Sequence, residues 1–434
     1  MHHPGKEGAM LIKHWSHRNH PEAIEARQQF LRDLPQWHNE DERIFDWSVD
    51  PTQLSPFLEA LTGQMVMPVS VVGPAHLDLG RYQWRQGQFV ESDRYQDDVY
   101  VPLAHTEGGL SMSMQRGFHV LNRTGGIKTY VLNDMMTRDC AFVFESADES
   151  KAFYDWIIAI RGDLIAWLNH PDHPDKALKP GQAVSDVSRH ALLLQIDAQI
   201  VGSVCHLLYR FFTGEACGPN MITRNAYALN REIVRRLDGK PWRLLNIFLE
   251  ANMGGDKKPS HEHYNGGHGK TVMATAKLTH RHLKRYLNTT VAQLKSLEWT
   301  GLHGSNASGM QSFAFTPASA VAAIFSTTGQ DLGMVGTSSM AHATIQEVQD
   351  GASFSLQMGG IEVGTVGGGT ALPHAQTYLR LLQCHGPGSA QRLAQIIAAA
   401  ALALEVSASA SMASHGSENF FRAHLTRGGH RGAT

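Results

Sequence analysis

Three observations predict an α+β fold in which a small module is inserted into a larger mixed domain. Strand-like and helix-like segments alternate over roughly a hundred residues from about Cys140. Short strands on either side lead into helices of small residues. Near the C-terminus, Ala390 to Ala413 is almost wholly apolar and small, as a buried helix requires. At 434 residues the chain can fill two or three domains around a large core.

The elements follow in order. Pro21 to Leu61 carries helical spacing with polar breaks. Met67 to Pro74 and Val99 to Leu103 read as short buried strands, and Gly109 to Met114 as the start of a closely packed helix. Ala141 to Phe144 is a strand, and Ser146 to Leu168 an amphipathic helix opened by the capping-box pair Ser146 and Glu149. A proline-punctuated loop, Pro171 to Pro180, leads to strands at Leu192–Ile200 and Ser203–Phe212. Then come a helix at Asn220–Leu237 and a strand at Trp242–Leu249. Val272 to Lys295 reads as mostly helical, and Pro317 to Ser326 as a small-residue helix. Strands are expected at Thr344–Val348, Ser353–Gln357 and Ile361–Val366, and helices at Ala375–Gln383 and Ala390–Ala413.

Composition excludes several classes. A formal net charge of -2 gives no reason to expect nucleic acid or an anionic membrane as partner. Four scattered cysteines form neither a disulfide framework nor a Cys-x-x-Cys pair, so a reducing, cytoplasmic setting and no metal site are expected. The opening is charged rather than apolar, without a secretory pattern, and no apolar run reaches membrane-spanning length. Among 25 histidines, His2, His3, His14, His17 and His20 crowd the N-terminus as a solvated segment. A soluble protein is expected.

Several residues carry candidate chemistry, each with a plainer reading beside it. Gly254-Gly255-Asp256-Lys257-Lys258-Pro259 is either a solvated turn or a cation placed where charge develops on a carbonyl oxygen. Glu107, between a strand and a helix, is a proton donor if buried and a capping carboxylate otherwise. Asp331 either holds such a lysine or ends a helix turn. The Gly364 to Thr370 run offers backbone N–H groups to a phosphate, or simply packs tightly. Ser188-Arg189 is a 2'-phosphate grip or a surface pair, and His424 sits in a terminal segment able to act as a flap.

Taken together and in this order, five of these segments resemble the 3-hydroxy-3-methylglutaryl-CoA reductase family. They are Thr106-Glu107-Gly108, Met136-Thr137-Arg138, Asp256-Lys257-Lys258-Pro259, Gly329-Gln330-Asp331 and Glu362-Val363-Gly364-Thr365-Val366-Gly367-Gly368-Gly369-Thr370. The resemblance runs discontinuously from Glu59 to His424. It implies a large substrate domain built around a central helix, an inserted ferredoxin-like cofactor domain and a C-terminal flap. The implied divisions are 1–139, 140–248, 249–415 and 416–434. It further implies NADPH, an acyl-CoA substrate, and a homodimer or higher oligomer with its site between subunits.

Carried across, the family implies Glu107, Lys257, Asp331 and His424 as the catalytic set. Arg138, Glu250, Asp256, Lys258 and Ser407 fall at substrate positions. Ser188, Arg189, Glu215, Asn220, Gly367, Gly368 and Gly369 fall at cofactor positions. The chain also departs from the pattern. Glu215 replaces an aspartate, Glu250 replaces a serine, and Thr316 and Ser319 stand where the central helix has His-x-x-Asn. Glu59 to Gly63 is a degraded dimer motif, and a longer flap leaves His415 as the alternative acid. The implied activity is reduction of 3-hydroxy-3-methylglutaryl-CoA to mevalonate. The alternatives are reduction of another acyl thioester, or a non-catalytic binding homologue.

Overall fold

The computed structural model describes residues 19–55, 58–85 and 87–426. His2, His3, His14 and His17 lie outside these residues, as does the tail expected beyond 426. Helix α1 (Pro21–Arg32) opens on proline, whose missing N–H costs nothing in a first helical turn, and turns Ala23, Ile24 and Arg27 inward. The rest of the stretch to Leu61 holds two 3-10 turns, Asn39–Phe45 and Pro51–Leu54, in place of further helix.

Strands β1 (Val69–Arg85) and β2 (Gln88–Ala104) form an antiparallel hairpin far longer than the two short strands expected. Charged residues concealed it, because they pair across the strands: Arg81 with Asp93 at 2.9 Å and Arg94 with Asp78 at 3.1 Å. A register shift between Val72 and Ala75 absorbs Pro74, which has no N–H for a ladder. Helix α2 (Leu110–Asn122) leads to β3 (Ile127–Phe144), the strand on which two layers meet. Its first half pairs with β1; its second half continues into another sheet.

That second sheet belongs to a small unit. Helix α3 (Ala147–Asn169), strands β4 (Leu192–Val201) and β5 (Val204–Phe212), helix α4 (Pro219–Arg236) and strand β6 (Leu244–Phe248) follow β3. The strands run β6-β3-β5-β4, antiparallel throughout. The unit has its own core, including Phe142, Phe153, Ile157, Tyr209 and Leu229. At the start of α3 the Ser146 hydroxyl accepts from Glu149 N, while the Glu149 carboxylate accepts from Glu145 N instead of returning the bond.

The chain then re-enters the large sheet at β7 (Gly269–Thr279), which corrects the expected helix over Val272 to Lys295. Val272, Ala274, Ala276 and Leu278 alternate into the core, and β7 is held between β3 and the strand at Gly351–Ile361. Alanine and threonine left the pattern ambiguous, and pairing on both edges decided it. Helix α5 (Val291–Ala307) starts only later, with a capping box between Thr290 and Gln293. Helix α6 (Pro317–Thr328) and strands β8 (Ala341–Val348) and β9 (Gly351–Ile361) complete the large sheet, ordered β2-β1-β3-β7-β9-β8. Beyond Ile361 the backbone leaves the sheet, so no strand continues to Val366. Helices α7 (Pro373–Leu381), α8 (Ser389–Met412) and α9 (Glu418–Thr426) end the described chain.

Helix α8 is the axis of the large core. Its apolar window has mean hydropathy 1.7 and is 94% buried, so the protein itself supplies its apolar surroundings. The polar side chains it carries inward are matched. Gln395 bonds both the N–H and the carbonyl of Gly80, and Gln391 donates to Asp134. Glu405 accepts from the N–H groups of Phe315 and Thr316 and from the Thr316 hydroxyl, capping α6. Helices α2 and α8 touch backbone to backbone at Gly117, where an added Cβ would lie 2.0 Å from the Ala403 carbonyl oxygen. Gly117→Ala gains about 1 kcal/mol of helix propensity. The clash costs about 3 kcal/mol and decides the sign. Denaturant melts should therefore show a net loss of about 2 kcal/mol.

Candidate active site

A cavity of about 620 Å³ lies where the small unit meets the large sheet. Its lining includes Arg138 from β3, Asn220 from α4, Asp256 and Lys257 from the turn before β7, Asp331 after α6, and Gly367 to Gly369. A larger, mainly apolar cavity of about 770 Å³ between α5 and β8 contains none of the expected site residues.

The turn is held by β3. The Thr137 hydroxyl contacts the Gly254 carbonyl, and Met253 N donates to buried Asp139 at 2.9 Å. Lys257 takes a left-handed conformation, φ 56°, which a non-glycine residue adopts only when its surroundings hold it there. Its ammonium lies 2.8 Å from Asp331 Oδ2. The other Asp331 oxygen accepts from Gly333 N at 2.9 Å, so this carboxylate both caps its turn and fixes the lysine. The hydrogen bond to Asp331 raises the Lys257 pKa, keeping the group an ammonium. The pair is half exposed, open to an incoming group.

Arg138 is 8% exposed at its side chain and faces two carboxylates, Glu250 and, at 3.3 Å, Asp256. Glu250 also lies 3.8 Å from Lys258. Its charge is thus balanced within the site, and it occupies the guanidinium expected to take a substrate carboxylate. Deeper still, Glu362 and His268 approach to 3.1 Å with both side chains buried. Burial raises Glu362 to about 8 and lowers His268. Cys217 also borders the cavity; burial raises its thiol, which stays protonated and is no nucleophile at neutral pH.

The glycine wall is held by close backbone contact. An added Cβ at Gly364 would meet Cys217 N at 2.4 Å, and Gln330 bonds both the N–H and carbonyl of Gly364. Gly367 and Gly368 have positive φ and open space where side chains would stand. Beside them, α4 presents its N-terminus, with Pro219 in the first turn and Asn220 on the cavity. A wall of glycines and a helix N-terminus suit a pyrophosphate.

Other expected residues are placed elsewhere. Glu107 is exposed in the loop before α2. It does not cap α2, whose N-cap is Gly109, and no hydrogen bond or ion pair among the described residues joins it to Lys257 or Asp331. His424 is exposed on α9, with Nδ1 2.8 Å from the Phe420 carbonyl, and exposed His415 lines a shallow depression with Lys284 and Asn419. Ser407, expected at a substrate position, is fully buried in α8, accepting from Arg116 and contacting Ser113. The Glu215 carboxylate is turned from the cavity to cap α8, accepting from Gly388 N, Ala390 N and the Ser389 hydroxyl. Ser188 is buried against Asn225, whereas Arg189 is exposed with Nε on the Lys176 carbonyl. Sequence reasoning missed His263, His268 and Glu362. Glu362 opens the glycine motif, but nothing in the spacing joined it to residues almost a hundred positions earlier.

A lysine paired to an aspartate beside a glycine cradle, in a two-sheet α+β frame, is a site able to place a cation at a carbonyl oxygen next to a bound pyrophosphate. Residues 23–428 match the family model described as hydroxymethylglutaryl-coenzyme A reductase. The 3-hydroxy-3-methylglutaryl-coenzyme A reductase of Aeropyrum pernix is 34% identical over 380 residues, 86% of this chain and 82% of that protein. That of Pyrococcus horikoshii is 32% identical over 391 residues, 88% of this chain and 86% of that protein. The class II enzyme of Streptococcus pneumoniae, solved bound to NADPH in open conformations, shares the fold. Its TM-score is 0.60 at 17% identity, covering 94% of this chain and 98% of that one. The chain belongs to the hydroxymethylglutaryl-coenzyme A reductase family.

Proposed function

We propose that this chain reduces the thioester of 3-hydroxy-3-methylglutaryl-CoA to mevalonate and free CoA, consuming two NADPH and two protons. The observation that carries it is the Lys257–Asp331 pair in one cavity with the glycine cradle. NADPH, when bound, supplies the hydride for each of two reductions. Lys257 stabilises the charge that gathers on the carbonyl oxygen, and Asp331 holds the ammonium in place. Release of the thiol breaks the carbon–sulfur bond and needs a proton on sulfur; the final alkoxide needs a second proton. His424 serves the sulfur once α9 moves over the cavity as a flap, and Glu107 serves the oxygen.

The small unit, residues 140–248, takes the cofactor in this reading. Its β6-β3-β5-β4 order with two helices supports a ferredoxin-like reading, and exposed Arg189 beside Ser188 suits a 2'-phosphate. Residues 1–139 and 249–415 form the substrate domain, and 416–434 the flap and tail. Glu107 reaches the cavity from a second copy of the chain. Exposed apolar side chains support this pairing: Met65 and Met112 are 74% exposed and Val66 89%, and Val71 on β1 and Tyr100 on β2 are exposed too. A cytoplasmic setting belongs to the same reading. The Arg138–Glu250 pair favours a second reading, in which the acyl group is a different one carrying less negative charge.

Three outcomes are expected. Lys257→Ala should lower NADPH oxidation with this substrate by about two to three orders of magnitude while leaving the melting temperature near wild type; unchanged turnover would refute its role. Mixing inactive Glu107→Ala with inactive Lys257→Ala and exchanging subunits should restore about a quarter of wild-type activity, because half the dimers then carry one intact site. No recovery from verified mixed dimers would put Glu107 and Lys257 in one subunit's site. Glu250→Ser should free Arg138 and lower KM for this substrate with little change in kcat. If wild type instead turns over an uncharged acyl-CoA better than this substrate, and Glu250→Ser reverses that preference, the second reading holds.

A further inference from the structure

Behind the Lys257 turn, three neighbouring side chains each carry a buried polar atom without a hydrogen bond: Asp256 Oδ1, His268 Nε2 and Glu362 Oε1. One donor atom from each residue lies within 4.8 Å of those of the other two. They come from separate segments, namely the lysine turn, the residue preceding β7 and the residue following β9. His268 and Glu362 are each 1% exposed. An unserved buried polar atom costs about 1–3 kcal/mol, so three meeting at one point call for a shared occupant.

Each of the three residues has its second polar atom anchored. Asp256 Oδ2 lies 3.3 Å from Arg138, and Glu362 Oε2 accepts from the Thr337 hydroxyl at 2.6 Å. His268 Nδ1 faces Thr137, 2.6 Å from its hydroxyl and 3.2 Å from its backbone N, and ligation through Nε2 requires Nδ1–H to donate to that hydroxyl. One atom fixed and the other presented is how outer partners orient metal ligands. The 3.1 Å between His268 Nε2 and Glu362 Oε1 matches two ligands each about 2.0–2.2 Å from a common ion.

Nearby groups do not fill the role. Lys257 is paired with Asp331, and buried Lys270 lies 3.2 Å from Asp134. The positive charge of Arg138 is met by Glu250 on its other side. His263 packs beside His268 with ring centres 5.3 Å apart; its nitrogens face the backbone carbonyls of Gly255 and Gly360, and its Nδ1 stays 3.9 Å from Glu362 Oε1, beyond hydrogen-bond reach. A proton shared between Glu362 and His268 is the rival occupant; it satisfies that pair and leaves Asp256 Oδ1 unserved.

We propose that Asp256, His268 and Glu362 form a binding site for one divalent transition-metal ion of the zinc type. One imidazole with two carboxylates suits such an ion better than calcium or magnesium, which favour oxygen donors alone. The ion joins the lysine turn to the end of β9 and so holds Lys257 in its left-handed conformation. It revises the expectation of no metal site, and it does not rest on the identity of the thioester.

The test uses the full chain, stripped with chelator and titrated with zinc by calorimetry, with metal content measured after gel filtration. His268→Ala and Glu362→Gln are treated alike. Because the chain has 25 histidines, the reading is the difference between proteins. Wild type should retain one equivalent more than either variant, with that class weakened at least about 100-fold in each variant. Zinc should also raise the melting temperature of wild type alone. Nearly isosteric Glu362→Gln keeps the comparison valid if His268→Ala does not fold. Equal zinc uptake by all three proteins, or none retained by wild type, would overturn the site. Turnover is not the readout, so failure here is separable from failure of the reductase reading.

Discussion

Strand β3 belongs to two sheets, and the site depends on the point where it changes partners. Its first half lies between β1 and β7, and its second half between β5 and β6. At the change, Thr137, Arg138 and Asp139 pair with β5 on one edge alone and take hold of the segment that follows β6. Thr137 meets the Gly254 carbonyl, Asp139 takes Met253 N, and Arg138 gathers Glu250 and Asp256. A three-residue stretch of strand therefore positions the whole lysine turn. The left-handed backbone at Lys257 is sustained by this grip and by Asp331, consistent with strain being held where a side chain must be aimed.

Carboxylates at helix starts connect the rest of the frame to that point. Glu215 caps α8 from the loop bordering the cavity, and Glu405, from within α8, caps α6. Helix α6 in turn ends at the Gly329-Gln330-Asp331 corner that supplies the lysine's partner and clamps Gly364. Each carboxylate meets the N–H groups of a helix start, where the helix dipole favours negative charge. The same logic explains two departures from the family pattern: Glu215 acts on α8, and Thr316 is engaged by Glu405.

Local sequence signals were legible wherever they were sufficient. The small unit's elements stand close to their expected places, from Ser146 opening α3 to β6, and α8 was readable from its apolar composition alone. The lysine turn, Asp331 and Gly367 to Gly369 were also recognisable, and the structure brings them into one cavity. The failures have a common cause. Strand β7 and the β1–β2 hairpin are specified by neighbours distant in sequence, through pairing on both edges or through cross-strand ion pairs.

The sequence by itself determined the alternation of elements, the membership of the central apolar helix in a core, and the set of residue types able to reduce a thioester. These follow from periodicity, capping and short motifs, which act over a few residues at a time. Tertiary structure alone decided which of those residues meet. It joined Lys257 to Asp331, gave Arg138 to Glu250, committed the Glu215 carboxylate to a helix end, and left Glu107 on the surface of its own chain. It also assembled Asp256, His268 and Glu362 from three segments. Such meetings depend on where β3 crosses between sheets and how closely helices pack, and no local pattern encodes either.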